Sequence, residues 1–227
     1  MTTVRPTPTI EDYLGVLYIL HRDGEIAIGA RLADLLEVSP PTVTMTIKRM
    51  ARDGWVVLND KKEITLTDEG VIAARSVSRR HILSELLLLR VLNVPWSKVH
   101  EEAHRLEHTF SKETEERLLA EFGKQQVCPH GNPLPSHEGI LKEYLPLSEI
   151  PAGTRVVVKR VHEHAEDNLE LLEYLETNGV LPGTEAVVYT VLPFNQTITL
   201  AVEERKVTFG FETAEFIYVE QVAPQTK

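Results

Sequence analysis

Cysteine is almost missing. Cys128 is the only one among 227 residues. A lone thiol excludes an intramolecular disulfide and fits a reducing compartment. Long apolar runs are missing too. "LSELLLLRVL" (83–92) is too short to span a bilayer, which takes about 20 apolar residues. The opening "MTTVRPTPTIEDY" lacks the basic-then-apolar order of a secretory leader. These features predict a cytoplasmic protein with no membrane partner. Nor is there an excess of positive charge. Lys and Arg number 24 against 34 Asp and Glu, a net charge of −10. The deficit is uneven. Residues 1–80 hold 11 of each sign, so residues 81–227 (13 against 23) account for all of it. A nucleic-acid partner would therefore meet the N-terminal third, because phosphate repels the rest. Hydrophobic residues at 42 % suffice for packed cores, and the length allows one to three small domains.

Periodicity organises the chain. "TIEDYLGVLYILHRDG" (9–24) has helical apolar spacing at Tyr13, Val16, Leu17 and Leu20, with Thr9 as expected N-cap and Glu11 and Asp12 in the first turn. "AIGARLADLLEV" (27–38) predicts a second helix. "SPPTVTMTIKRMARDG" (39–54) predicts a third, started by Ser39, Pro40 and Pro41 and stopped by Gly54. "WVVLNDKKEITLTDEG" (55–70) predicts a hairpin. Helix, helix, Ser/Pro turn, helix, hairpin is the order of a winged helix-turn-helix, whose later helix enters the major groove. A three-helix bundle with an ornamental hairpin is the plainer reading. Residues 71–122 read as helical, with surplus leucine on one helix pointing to a subunit interface. "QQVCPHGNPLPSHEG" (125–139), with three prolines and two glycines, predicts a loop. After Pro151 five short β-rich runs and one short helix predict a small SH3-like barrel. The expected fold is mainly α with a β tail: a winged helix-turn-helix domain (1–74), a helical dimerisation and metal-binding domain (75–145) and an SH3-like domain (150–227).

"HEEAHRLEH" (100–108) places three of nine histidines four apart, with Glu107 before the last. On one helix these side chains share an edge, and His at i and i+4 can grip one cation. A solvated polar face is the plain alternative. His81 and Glu85 repeat the i, i+4 spacing, Cys128 and His130 stand two apart in the loop, and Asp12 sits beside an inward-facing helix stripe. Several clusters at ligand spacing favour metal binding. "HRLEH" also matches the H-x-x-E-H metallopeptidase signature. The chain offers no large substrate domain for that chemistry, so no enzyme is expected.

Taken together, "TIEDYL", "SPPTVTMTIKRMARDGWV", "LTDEG", "RRHILSELLL", "KVHEEAHRLEH", "CPHGNPLP" and the β tail resemble the metal-dependent repressors of the diphtheria toxin repressor and manganese transport regulator family. The resemblance covers almost the whole chain. It implies a primary metal site at Asp12, His104, Glu107 and His108. It implies a second at His81, Glu85 and His100, joined by Cys128, His130 and an acid of "HEHAEDN", expected to be Asp167 with Glu166 and Glu163 as alternatives. It places Ser39, Pro41, Thr42, Thr44 and Met45 at base edges and Arg31, Arg49 and Arg52 on phosphates. Iron-type members carry methionine and cysteine where Asp12 and His104 stand, and manganese-type members a carboxylate at His104 and sometimes a glutamate at Gly15. Hard oxygen donors favour Mn²⁺ over softer Fe²⁺ chemistry, and Zn²⁺ binds any such set. The implied protein is a homodimeric, manganese-activated repressor of metal-uptake genes, bound to operator DNA. An iron-responsive repressor, or a winged-helix regulator with an organic effector, is the alternative.

Overall fold

The computed structural model describes residues 6–222. Contacts group the chain into two units: residues up to Ser84 with His104–Arg117, and Glu85–Ala103 with Leu118 onward. The long helix α4 (Asp68–Arg90) supplies residues to both.

The first unit starts with α1 (Pro8–Arg22). Thr9 is not its cap. The helix starts two residues earlier, where Pro8 has its φ already set for the first helical residue, and Thr7 holds the cap position without a side-chain bond. Next come α2 (Gly29–Leu35), shorter than the sequence suggests, and α3 (Pro40–Arg52). Ser39 caps α3 as expected, its Oγ accepting from Thr42 N at 3.4 Å. Strands β1 (Val56–Leu58) and β2 (Ile64–Leu66) pair antiparallel, Val57 opposite Thr65. Asn59 closes their turn by accepting from the amides of Lys61 and Glu63. Leu14, Leu17, Leu20, Leu32, Ile47, Met50, Val56 and Ile64 form the core beneath. Gly70, inside α4, is required by space: a Cβ there would collide with the Trp55 carbonyl oxygen.

The segment from 95 to 123 is not one helix. A 3₁₀ turn (Trp96–Lys98) leads into α5 (Val99–Leu106), and a second (Glu107–Thr109) separates it from α6 (Lys112–Phe122). Local polar groups make the break. Thr109 Oγ1 donates to Leu106 O at 2.7 Å, and Ser111 Oγ accepts from Thr114 N at 3.1 Å, capping α6. Glu107 and His108 therefore sit on a turn rather than on the helix that carries His100 and His104.

The second unit is built on a six-stranded antiparallel sheet, β3 (Leu145–Pro146), β4 (Arg155–Val161), β5 (Glu185–Leu192), β6 (Thr197–Val202), β7 (Arg205–Gly210) and β8 (Ile217–Gln221). Its spatial order is β3-β8-β4-β5-β6-β7. The five runs expected from sequence are β4 to β8, and β3 is an added edge too short to read. Short helices α7 (Glu163–Glu166), α8 (Leu169–Thr177) and α9 (Phe211–Ala214) complete it. Val158, Val188, Ile198, Leu200, Val207, Ile217 and Val219 alternate inward along the strands and are fully buried. The proline-rich loop is pinned to β4. Val161 N donates to His130 O at 2.8 Å, and Gly131, at φ +91°, lies so close to the Lys159 carbonyl that no Cβ fits. Among the described residues no helix is long and apolar enough to cross a membrane.

Candidate metal centres and nucleic-acid face

Asp12, His104, Glu107 and His108 each present a donor atom within 4.8 Å of the other three. Asp12 comes from α1, His104 from α5, and the other two from the 3₁₀ turn. His108 Nε2 lies 3.0 Å from Asp12 Oδ1 and 3.4 Å from Glu107 Oε1, and His104 Nδ1 lies 3.3 Å from Glu107 Oε1. Oδ1 of Asp12 is buried, and its nearest polar partner is the His108 ring rather than a well-directed hydrogen-bond donor. Burial raises the Asp12 carboxyl above its ordinary value, against the opposing pull of His108 and His104. Burial also pushes Glu107 up, but His81 and His104 outweigh it and hold the group down at about 2. Its hydrogen bond to Glu107 raises His104. His81 is found here as well, its Nδ1 2.7 Å from Glu107 Oε2. Two carboxylates and two imidazoles at this spacing suit a divalent transition metal.

A second group is wholly buried: Glu85 on α4, Cys128 and His130 in the loop, Glu166 on α7, again with donors within 4.8 Å. His130 Nδ1 lies 3.2 Å from Glu85 Oε1, while its Nε2 lies 3.2 Å from Trp96 O. An acceptor lies at each nitrogen, and although burial pulls the pKa of the ring down, Glu166 and Glu85 outweigh it and raise it. His100 contributes from α5, its Nδ1 2.6 Å from Glu166 Oε2 and 3.4 Å from Glu85 Oε1. Its pKa is well above the ordinary value, Glu166 and Asp167 outweighing burial. Burial, reinforced by Glu85 and Glu166, pushes the Cys128 thiol up. Two carboxylates this deep need positive charge beside them, and a cation would take over that task from the imidazolium rings.

The acid in this cluster is Glu166, the stated alternative, and not Asp167. One helical step apart, the two differ in exposure: Glu166 is buried, while the Asp167 side chain is 78 % exposed and meets the far nitrogen of His100 at 3.4 Å. Sequence reading missed three residues altogether. Trp96 donates from Nε1 to Pro129 O at 2.9 Å and packs its ring against His130. Asn132 donates to Val161 O and to Glu166 Oε1, orienting that carboxylate. Glu11 is buried beside His108. The last had a signal: Glu11, Leu14 and Tyr18 follow helical spacing on the apolar side.

The nucleic-acid candidates lie along α3. Pro41, Thr42, Thr44, Met45, Arg49 and Arg52 are exposed, Met45 at 74 %. Their polar groups are engaged locally. Ser39 and Thr42 share a hydroxyl–hydroxyl bond of 2.8 Å, and Thr44 Oγ1 donates to Pro40 O. Arg49 and Arg52 both pair with Asp53, at 3.7 and 2.8 Å, and Arg31 pairs with Glu25.

A winged helix with an arginine-bearing second helix, helical segments contributing to two cation-competent clusters of which one is wholly buried, and a β tail together define a metal-responsive DNA-binding regulator. Comparison with known proteins gives the family. Residues 6–64 match the iron-dependent repressor N-terminal DNA-binding domain, 67–136 the iron-dependent repressor metal-binding and dimerisation domain, and 145–221 the FeoA domain. The iron-dependent repressor IdeR of Mycobacterium tuberculosis is 36 % identical over 225 residues, covering 94 % of this chain and 97 % of that one. The diphtheria toxin repressor of Corynebacterium diphtheriae is 41 % identical over 127 residues, 56 % of each chain. Among solved structures, a manganese-dependent transcriptional repressor in complex with manganese superposes with a TM-score of 0.79 at 28 % identity, covering 93 % of this chain and 99 % of that one. ScaR with bound Zn²⁺ gives 0.78 at 32 %, over 96 % and 100 %. The chain belongs to the diphtheria toxin repressor family of metal-dependent transcriptional repressors. It is a repressor rather than an enzyme, its fold is an N-terminal DNA-binding domain, a helical dimerisation domain and a C-terminal FeoA (SH3-like) domain, and its cofactor is a divalent metal.

Proposed function

We propose that this chain is a cytoplasmic, homodimeric, manganese-activated repressor that binds operator DNA and shuts off metal-uptake genes. Asp12, His104, Glu107 and His108 would form the activating site. The observation behind this is the convergence of four donor atoms within 4.8 Å of one another, with Asp12 Oδ1 3.0 Å from His108 Nε2. A divalent cation there would cancel the repulsion between the Asp12 and Glu107 carboxylates. The residues then fix α1 against the turn after α5. Because α1 packs in the same core as α2 and α3, α3 is set for the groove only when α1 is set. Metal and DNA would favour each other by a coupling of about 1–3 kcal/mol.

Manganese is preferred because both carboxylates are hard donors and no sulfur lies in this cluster. Iron has a specific claim, since IdeR relatives named as iron-dependent align along almost the full length. Glu85, Cys128, His130, Glu166 and His100 would form a second site whose one thiol favours a borderline metal such as Zn²⁺ or Fe²⁺. Arg31, Arg49 and Arg52 would reach phosphates while Pro41 and Met45 meet thymine methyls, so DNA shape matters more than base hydrogen bonds. The proposed boundaries remain 1–74, 75–145 and 150–227.

The test is DNA binding by chelator-treated protein with Mn²⁺, anaerobic Fe²⁺ or Zn²⁺ restored, beside His108→Ala. Manganese should restore binding at lower free concentration than its cellular competitors allow for iron, and His108→Ala should remain a folded dimer that no metal activates. Wild-type metal response in that variant would refute the activating site, and restoration by Fe²⁺ alone would make the protein an iron sensor.

A further inference from the structure

The imidazole of His108 is clasped at both nitrogens by successive acids of α1. Nε2 faces Asp12 Oδ1 at 3.0 Å, and Nδ1 faces Glu11 Oε2 at 2.7 Å. Glu11 is 2 % exposed, which is rare for a carboxylate without a partner of opposite charge. Arg80, 5 % exposed, supplies it: its Nη2 lies 2.7 Å from Glu11 Oε1. The same guanidinium donates from Nε to the main-chain oxygen of Glu107 at 3.0 Å and from Nη1 to Ser76 Oγ. One side chain thus ties the acid behind His108 to the turn that carries Glu107 and His108.

This arrangement has a consequence for the ring. A neutral imidazole holds one proton, and the hydrogen bond at one nitrogen decides which nitrogen offers its lone pair. Nε2 is the atom turned towards Asp12 and Glu107, so a cation held there takes the Nε2 lone pair and leaves the ring's proton on Nδ1, where the Glu11 carboxylate accepts it. We propose that Glu11, backed by Arg80, is the positioning residue of the activating metal site: it fixes the tautomer and tilt of His108 so that Nε2 is presented to the cation. The inference rests on the reading of Asp12, His104, Glu107 and His108 as that site. A mere structural ion pair would hold α1 to α4 and leave the ligating nitrogen indifferent to Glu11.

The experiment uses the full chain. Glu11→Ala, Glu11→Gln and His108→Ala are compared with wild type by Mn²⁺ titration, by the visible spectrum with Co²⁺, and by ¹⁵N resonances of the His108 ring with Zn²⁺ bound. Glu11→Ala should weaken Mn²⁺ at this site about 10–100-fold, the usual effect of removing such an outer partner. It should also alter the Co²⁺ bands and leave the second cation unaffected. Glu11→Gln, whose amide oxygen still accepts from Nδ1–H, should recover part of the loss. If Glu11→Ala does not fold, the wild-type ring decides: Nδ1–H with metal at Nε2 sustains the proposal, and the opposite tautomer overturns it. Wild-type affinity and spectrum in Glu11→Ala overturn it as well. If His108→Ala keeps the wild-type metal count, the site reading itself fails. If His108→Ala loses a metal while Glu11→Ala does not, only the role of Glu11 fails.

Discussion

His130 shows at the scale of one residue how the second cluster would exchange protons for a cation. Ligation needs a neutral imidazole and a thiolate, so protons must leave before a metal can bind. Glu166 and Glu85 hold His130 above its ordinary value despite burial, and burial with the same acids holds Cys128 well above its own. Each displaced proton makes affinity rise about tenfold per pH unit while the group's pKa lies above the pH. Between pH 6 and 8 the affinity of the second site should therefore rise by at least about tenfold per unit, and one unit of that slope should vanish in Cys128→Ser. The first site should respond less, because Glu107, at about 2, has already lost its proton. Without metal the sign reverses. His100 and His130, both raised above 6.5, contribute stability that is complete below that pH and lost as pH rises through their raised values. The chelated chain should melt earlier at pH 8 than at pH 6, and added metal should remove the difference. A pH-independent second affinity would sink this account.

Element by element, α3 combines capping chemistry with self-paired charge. Arg49 and Arg52 share Asp53, so phosphate must compete with that carboxylate. Exposed pairs of this kind are screened by water and add little to stability. Asp53→Ala should therefore cost little stability, strengthen DNA binding to specific and unrelated sequences alike, and steepen the salt dependence. An unchanged salt slope would mean that neither arginine meets phosphate. This helix was legible from sequence because its signals are local: Ser39 at the cap, two prolines, apolar period, glycine stop. The ladder was legible only in composition. His100 and His104 stand where helical spacing puts them, but Thr109 and Ser111 break the helix, so Glu107 and His108 approach from a turn. Competition between side-chain hydroxyls and the helix ladder is a weak signal inside a run of good helix formers. The choice of Glu166 over Asp167 was invisible for another reason. Three acids in five residues look alike until α7 sets which one points inward, and α7 is a single turn whose cap is an imidazole, His162 Nδ1 accepting from His164 N at 3.1 Å, a weak signal in sequence.

At the scale of the whole molecule, charge and burial would make the second cluster a stability switch for its unit if a cation binds there. Residues 81–227 carry the entire −10, and Glu85 and Glu166 bury two of those charges. The loop that brings Cys128 and His130 has fastenings of its own. Cys128 N donates to Asn132 O and Leu134 N to Gln126 O, and Arg160 holds Asn132 while its Nη2 reaches Glu163 at 2.8 Å. Removing Cys128 and His130 should thus leave the loop folded but the carboxylates short of positive charge. The double variant Cys128→Ser, His130→Ala would be destabilised with or without metal, so its melting temperature alone says nothing about ligation. The informative quantity is the increment on adding metal. A cation that binds only the folded unit stabilises it by RT ln(1 + [L]/Kd), about 2.7 kcal/mol at a hundredfold excess over Kd. Wild type should gain two increments as Mn²⁺ or Zn²⁺ is raised, one for each site, and bind two metals per chain. The double variant should gain only the increment of the Asp12 site and bind one. Cleavage between about residues 125 and 150 should speed up in the variant under metal and equalise with wild type under chelator, since the loop opens more often when no cation holds it. Equal increments and equal metal counts in the two proteins would remove Cys128 and His130 from the metal chemistry and leave the CPHG turn as a purely structural clasp on β4.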